Sequence, residues 1–244
     1  MATDPADPHG AALNRAFGYP YAIPGASYLL MPDGTVRPLS AVDLKGRTPV
    51  LASGSNQAPE QLRRKFGGHT DRPVPVVRGA VAGVDMVHSA HVARYGSIPA
   101  TPMACPGVTA TAFITWLDDR QLARMHATEA LGLNYDVRPL AGVTVTQPDL
   151  AGTGPEAVDA PLAYVSRWGA LAVDGRPVPL AAVPATGRTH RALGQRDVLT
   201  HARDRLAPGA DLSAFVLAAV HDPDERARRT RALAADAVPL AWDG

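Results

Sequence analysis

The chain has 244 residues, 46% of them apolar, and its 24 Lys and Arg side chains nearly balance its 23 Asp and Glu side chains. This near-neutral charge provides no field that would gather nucleic acid or an anionic membrane surface, so we expect neither as a partner. The length and the apolar content are sufficient to bury a core, and we predict a single domain over residues 1–244.

The cellular compartment is predicted from cysteine content and hydropathy. Cys105 is the single cysteine, so the chain forms no internal disulfide, and no basic N-terminal segment precedes an apolar run of signal length. No apolar stretch approaches the roughly 20 residues that a membrane-spanning helix needs. We therefore expect a cytoplasmic protein that does not enter a membrane.

The first 24 residues are rich in Ala, Pro, Asp and Gly and show little periodicity, which predicts an irregular N-terminal arm over residues 1–24. Tyr19, Tyr21 and Tyr28 lie close together at the end of this region. Such aromatic side chains need a surface to pack against, which either the core or a second subunit would supply. A homodimer, in which a second subunit covers these tyrosines, is therefore one of the two alternatives.

From residue 49 the pattern becomes regular. An apolar strand at 49–52 leads into a Gly-Ser turn, and Pro59 then occupies the first turn of a helix over 59–66. The other predicted strands are 73–84, 87–95, 109–117, 135–145 and 162–166, with an Asp-Gly hairpin at 173–178. The predicted C-terminal helices cover 195–206, 211–221 and 223–235.

These elements predict an α+β fold. We expect a compact mixed β-barrel with flanking helices, whose core covers residues 49–187, and a helical C-terminal extension over residues 188–244.

The helix after the strand at 109–117 carries a candidate for chemistry. Asp118 or Asp119 can cap its start, and the three-to-four spacing places Glu129, near its end, on or beside the inward face. A carboxylate in that position is destabilising unless it has hydrogen-bond partners or stays neutral. A Glu at a helix end is more often exposed, so this position alone does not establish a function.

The turn Gly54-Ser55-Asn56 joins the strand at 49–52 to the following helix. Backbone N–H groups at such a turn and at a helix start lack internal partners, so they can hold a carboxylate or a developing oxyanion. The same residues also serve as an ordinary turn with a Ser or Asn cap. A turn of this kind and one well-placed carboxylate together suffice for acyl chemistry at an amide.

Several motifs resemble the gamma-glutamylcyclotransferase superfamily in residues, order and spacing. They are Gly54-Ser55-Asn56 with Pro59-Glu60-Gln61-Leu62, then Ile98-Pro99-Ala100-Thr101, Cys105-Pro106-Gly107, and Glu129 followed by Tyr135. The similarity to the superfamily extends over residues 49–140. Over residues 164–206 only the general pattern is similar. Where the family most often has Tyr before the Gly, this chain has Ser53, which removes an aromatic wall and favours some change of substrate.

The resemblance implies an enzyme that releases an amine or amino acid from a gamma-glutamyl amide and forms 5-oxoproline, with no metal and no organic cofactor. It implies Glu129 as the catalytic general acid/base and a small molecule as the partner. The implied substrate-binding residues are Ser53, Gly54, Ser55, Asn56 and Tyr135, of which Tyr135 would position Glu129 or the substrate. Two alternatives stay open: a hydrolase or acyl transferase on another small amide or ester, and a non-catalytic small-ligand-binding protein of the same fold.

Three further groups have structural explanations that we favour. His88 and His91 would lie on opposite faces of a strand with no third ligand nearby in sequence, which argues against a metal site. Cys105, with His126 as its base, would lack the helix-start setting that activates a thiol. The arginines between residues 226 and 231 follow acidic residues at a helix start and are predicted to form a solvated face.

Overall fold

The computed structural model describes residues 7–40 and 43–242, within which lie six α-helices and twelve β-strands. The helices are α1 (Pro8–Phe17), α2 (Pro59–Phe66), α3 (Asp119–Thr128), α4 (Gln195–Leu206), α5 (Leu212–His221) and α6 (Pro223–Ala234). The strands are β1 (Tyr28–Leu30), β2 (Val36–Pro38), β3 (Thr48–Ala52), β4 (Val74–His88), β5 (Ala100–Leu117), β6 (Tyr135–Pro139), β7 (Thr144–Thr146), β8 (Ala157–Asp159), β9 (Leu162–Ser166), β10 (Ala172–Val173), β11 (Arg176–Pro177) and β12 (Ala185–Thr186).

Ten of the strands form one mixed sheet in the order β2-β1-β4-β5-β3-β9-β6, with β12 added to β5 and the pair β7-β8 added to β4. β3 and β9 run parallel, and the other pairs are antiparallel. In the described part of the chain no pairing joins β6 to β2. The sheet is therefore open, and the prediction of a compact β-barrel over 49–187 is replaced by an open mixed sheet with helices packed on it.

The central hairpin of β4 and β5 corrects the predicted strand boundaries. The register shifts between Ala82 and Val84, and Gly83 adopts a φ of +75°, which glycine tolerates without steric cost. The bulge lets one strand continue to His88 where two strands, at 73–84 and 87–95, were predicted. Conversely, the predicted strand at 135–145 is divided into β6 and β7 by a turn in which Gly142 has a φ of +75°.

The N-terminal segment is helical over Pro8–Phe17, so the prediction of an irregular arm is wrong there. Asp7 caps α1 by accepting a hydrogen bond from the His9 backbone N–H, and Pro8 stands at the first helical position. β1 then pairs with β4, so the sheet begins before the predicted boundary at residue 49. Residues 1–6 of the predicted arm lie outside the described residues.

The helical C-terminal region is present as predicted, and α5 and α6 differ from their predicted ends by one residue each. Asp211 caps α5, and Asp222 caps α6. α4, α5 and α6 pack with α1 around an apolar cluster that includes Leu199, Phe215 and Leu233. No helix within the described ranges combines the length and apolar character needed to cross a bilayer.

α3 begins as its sequence predicts, and this places Glu129. The Asp118 side chain accepts from the Gln121 backbone N–H at 2.9 Å, while the Gln121 side chain accepts from the Asp118 backbone N–H at 3.2 Å. This capping box satisfies two backbone donors at the start of the helix. Because the start of α3 is thus defined, Glu129, the C-cap residue that follows its last turn, comes to face α2 beside an apolar cluster that contains Leu62 and Met125.

Candidate functional site

A cavity of about 920 Å³ lies where the loop after β3, α2, the end of α3 and the loop between β4 and β5 approach α1 and α6. Its volume is in the range typical of small-molecule sites, about 300 to 1,000 Å³. All six residues selected from the sequence line it: Ser53, Gly54, Ser55, Asn56, Glu129 and Tyr135. The fold therefore gathers residues from separate segments of the chain around one space.

Glu129 is held through one of its two carboxylate oxygens. Oε1 accepts a hydrogen bond from Asn56 Nδ2 at 2.7 Å and is ion-paired with Lys65 Nζ. Oε2 makes no hydrogen bond with any described residue. The side chain is 12% exposed, so its carboxylate has the partners that a partly buried charge requires, and one oxygen is left over for a ligand.

Lys65 was missed by the sequence analysis. Its side chain is 5% exposed and also approaches Met125 Sδ at 3.3 Å. The signal was present in the spacing, because Gln61, Leu62, Lys65 and Phe66 form the buried face of α2. A lysine at three-to-four spacing on an apolar face requires an acidic partner, and Glu129 is that partner.

The turn at Gly54 is closed by a tyrosine from the N-terminal segment. Tyr19 Oη accepts a hydrogen bond from the Ala100 backbone N–H at 2.7 Å. A Cβ atom on Gly54 would overlap Tyr19 Oη and lie 3.1 Å from Ala100 Cβ. The backbone N–H groups of Gly54 and Asn56 donate to no acceptor among the described residues, so they are available to a ligand.

The aromatic wall that Ser53 does not supply comes from other parts of the chain. Tyr19, Tyr95 and Tyr135 all line the cavity. Burial raises the pKa of each well above its usual value of about 10, so their hydroxyl groups stay neutral at physiological pH. The Tyr135 hydroxyl donates to the Ala100 backbone carbonyl at 3.2 Å. Tyr135 thus borders the cavity, and its hydroxyl group is bonded to Ala100 and not to Glu129.

We expect Gly54→Ala to lower activity strongly because the added methyl group cannot be accommodated without moving the turn or Tyr19. A displacement of about 1 Å in a positioning group can cost on the order of 10² in rate. The check is kcat/KM of Gly54→Ala on the gamma-glutamyl amide that the sequence predicts as substrate. Gly25→Ala is the control, because a Cβ there meets no atom within 4 Å. Unchanged kcat/KM in folded Gly54→Ala would show that this close approach has no role in the site.

A chain of hydrogen bonds orients His91 beside the cavity. Ser166 Oγ accepts from the Trp168 backbone N–H at 3.0 Å and lies 2.6 Å from Ser89 Oγ, which lies 2.6 Å from His91 Nδ1. If Ser166 donates to Ser89 and Ser89 donates to His91 Nδ1, both hydroxyl hydrogens have an acceptor. If instead His91 Nδ1 donates to Ser89 and Ser89 donates to Ser166, the Ser166 hydroxyl hydrogen has no acceptor among the described residues. His91 therefore carries its proton on Nε2, a buried donor that has no partner within residues 7–40 and 43–242.

Burial lowers the pKa of His91 to about 3, compared with about 6.5 in an unfolded chain. Between these values the unfolded state binds a proton that the folded state does not, so the free energy of unfolding falls as pH decreases from 6.5 toward 3. The loss is about 1.4 kcal/mol per pH unit. Between pH 7 and pH 5, we expect wild type to lose about 2 kcal/mol more than His91→Asn, which does not titrate.

Urea denaturation at the two pH values measures this difference, with the exposed His69→Asn as the control. An equal pH dependence in wild type and His91→Asn would contradict a neutral buried His91.

The remaining sequence candidates lie outside the described cavity lining or have other partners. Both ring nitrogens of His88 lie within 3.2 Å of backbone carbonyls, and no group of three His, Cys, Asp or Glu in the described ranges could hold a metal ion. Burial raises the pKa of the Cys105 thiol, which disfavours the thiolate. His126 Nδ1 is hydrogen-bonded to the Tyr164 hydroxyl at 2.8 Å.

The solvated face predicted for the arginines of α6 is present only in part, because Arg228 and Arg231 are exposed whereas Arg229 is buried. Arg226 and Arg231 line the cavity, and Arg229 is 4% exposed and bonded to Glu225. Arg228 is half-exposed and pairs with the same carboxylate. The sequence pattern failed here because the helix packs one of its charged sides toward the cavity, a tertiary contact that charge periodicity does not reveal.

Comparison of the chain with protein-family models, with curated proteins and with solved structures gives no match. The similarity of its motifs to the gamma-glutamylcyclotransferases therefore stays a prediction.

Proposed function

We propose that the protein is a gamma-glutamylcyclotransferase-like enzyme that releases an amine or amino acid from a gamma-glutamyl amide and forms 5-oxoproline. The observation that carries the proposal is the arrangement of Glu129, whose Oε1 is bound by Asn56 and Lys65 while Oε2 has no partner among the described residues. A carboxylate fixed through one oxygen at the edge of a cavity can exchange protons with a bound substrate through the other.

In the proposed reaction, the α-amine nitrogen of the substrate attacks its own γ-carbonyl carbon. The new C–N bond closes a five-membered ring as the bond to the departing amine breaks. The α-ammonium gives up two protons as it becomes the ring amide, and the departing nitrogen takes up two as it leaves as an ammonium ion. Glu129 carries these protons through Oε2, so atoms and charge balance without a further reactant.

The turn at Gly54 would stabilise the charge that develops on the γ-carbonyl oxygen or hold the substrate carboxylate. The free N–H groups of Gly54 and Asn56 support this role, since preorganised donors at a developing oxyanion are typically worth on the order of 10² to 10³ in rate each. The neutral Nε2–H of His91 is a further donor that a carbonyl or carboxylate oxygen would satisfy. Tyr19 and Tyr135 would enclose the glutamyl group between aromatic rings.

The test is incubation of the purified protein with a panel of gamma-glutamyl amino acids, gamma-glutamyl amines and glutathione, followed by mass spectrometry for 5-oxoproline. Glu129→Gln purified in parallel controls for contaminating enzymes. We expect 5-oxoproline with wild type and loss of it with the variant. Glutamate in place of 5-oxoproline would indicate a hydrolase. If folded protein forms no product from any compound of the panel, the proposal is overturned in favour of another substrate or a binding role.

A further inference from the structure

The cavity is strongly basic although the chain as a whole is nearly neutral. Seven cationic side chains line it, whereas Glu129 is the one acidic side chain among the described lining residues. Lys65 is neutralised by Glu129, and Arg64 pairs with Glu60. The other five form no salt bridge with any described residue. We call them the arginine wall: Arg15, Arg94, Arg124, Arg226 and Arg231. Their charge is therefore available to a ligand.

Three members of the arginine wall are oriented by neighbouring groups that leave most of their donors free. Arg226 Nη1 donates to the Ala219 backbone carbonyl at 2.7 Å, and Arg124 Nε donates to the Lys65 carbonyl at 2.8 Å. The Arg15 guanidinium lies 4.8 Å from the centre of the Tyr95 ring. A guanidinium has five N–H donors, so one bond to a carbonyl fixes its position and leaves a fork that matches a carboxylate or phosphate.

Arg15 also provides independent evidence of a missing acceptor. Its Nε is buried and has no hydrogen-bond partner among the described residues. A buried unpaired donor costs about 1–3 kcal/mol, and a charged one requires compensation by an anion. Since the Arg15 side chain borders the cavity, a bound anionic ligand would provide that compensation.

The wall lies on elements that are separate from the proposed catalytic turn. Arg15 is on α1, and Arg226 and Arg231 are on α6. Arg15 and Arg94 also line an adjoining hollow of about 310 Å³, which extends the available space beyond the main cavity. A ligand that fills this region must be larger than a glutamyl group, and its distal part meets positive charge.

We propose that the amine released by this enzyme carries either two carboxylates or a phosphate group, and that the arginine wall binds these anionic oxygens. The inference rests on the proposed function for the identity of the other half of the substrate. The charge and unpaired donors of the wall carry the part that concerns the anion. An amine without anionic groups leaves all five guanidinium groups without a counter-charge, including the three that are only partly exposed, Arg15, Arg124 and Arg226, so it binds weakly.

Binding is tested first, without turnover. Isothermal titration calorimetry with O-phosphoserine, glutamate and ethanolamine compares a phosphate-bearing amine, a dicarboxylic amine and an amine with no anionic group. We expect the first two, or one of them, to bind at least tenfold more tightly than ethanolamine, and the stronger of the two identifies the anion. Absence of this preference would overturn the inference.

Arg226→Gln and Arg231→Gln should each weaken anion binding by about 10- to 100-fold, the range for loss of one hydrogen bond to a charged group. Arg228→Gln is the matched control, because Arg228 is on the same helix and outside the cavity lining. Anion binding that survives both cavity variants, with their fold confirmed by circular dichroism, would place the anion elsewhere and contradict the proposal.

Turnover of the gamma-glutamyl derivatives of the same three amines separates the two proposals. Arginine-dependent anion binding without 5-oxoproline from any derivative would support the anionic site and overturn the cyclotransferase. Equal kcat/KM for the anionic and the ethanolamine derivatives, with no preference in binding, would support the cyclotransferase and overturn the anionic site.

Discussion

We expect Glu129→Gln to lower kcat on a gamma-glutamyl amide by about 10² to 10⁴, the usual contribution of a general acid/base. Gln keeps the shape of the side chain and can still accept from Asn56 through its amide oxygen, but it cannot take a proton at the position of Oε2. Ligand affinity should therefore change much less than kcat. The measurement is kcat and KM with the best substrate of the panel, together with the Kd of a slowly reacting analogue.

Glu156→Gln is the control for this substitution, because Glu156 is exposed and lies outside the cavity lining. The Gln variant also leaves Lys65 without its counter-charge, so each activity must be referred to the fraction of folded protein measured by circular dichroism. Equal kcat in folded Glu129→Gln and wild type would eliminate Glu129 as the acid/base. Equal losses of kcat and ligand affinity would instead indicate that the carboxylate only binds.

Local signals determined which elements could be predicted from the sequence. α2, α4 and β9 have the predicted bounds: Pro59 marks the start of α2, and β9 is an apolar run. α1 was missed because its helical pattern is short and contains Gly10, and its stability depends on packing against α5. The bulge at Gly83 was missed since an isolated glycine predicts a strand end as readily as a bulge.

The residues of the site likewise divide into those with a local sequence signal and those without one. The turn at Gly54 and the acid at Glu129 were found because each belongs to a contiguous motif, and their joint role was implied by the resemblance of these motifs to the gamma-glutamylcyclotransferases. Tyr19, Arg15, Arg226 and Arg231 were not found, because α1, α6 and the segment after α1 reach the cavity only through packing between distant parts of the chain. The predicted barrel failed for a related reason: strand patterns predict a sheet, whereas closure depends on which edge strands pair.

The cavity residues that the sequence missed are also those that give the site its electrostatic character. The segments outside the motif-bearing region, α1 and α6, contribute cations, and α2 contributes Lys65 to balance the proposed acid. A chain with one net positive charge thus concentrates positive potential at one place. Such focusing in a cavity raises the local concentration of an anionic substrate and weakens with added salt.

We expect Lys65→Met to destabilise the fold by about 3–5 kcal/mol, the usual cost of removing one partner from a buried ion pair. Met has a similar length, and its thioether can pack where Lys65 Nζ now contacts Met125 Sδ, so little packing is lost. The cost arises because Glu129, which is 12% exposed, keeps its charge without its cation. Urea denaturation monitored by circular dichroism measures the change, and Lys45→Met, at an exposed position, should shift stability by less than about 0.5 kcal/mol.

The double variant Lys65→Met/Glu129→Gln distinguishes this cause from lost packing. It removes the stranded charge, and replacement of a whole buried pair by neutral side chains is often nearly neutral for stability, so it should recover most of the loss seen in Lys65→Met. A double variant as unstable as Lys65→Met would show that Lys65 stabilises α2 through its aliphatic contacts and not through Glu129. Recovery of stability in the double variant would show that the loss in Lys65→Met comes from the unpaired Glu129 charge, so that the fold itself does not require the ion pair.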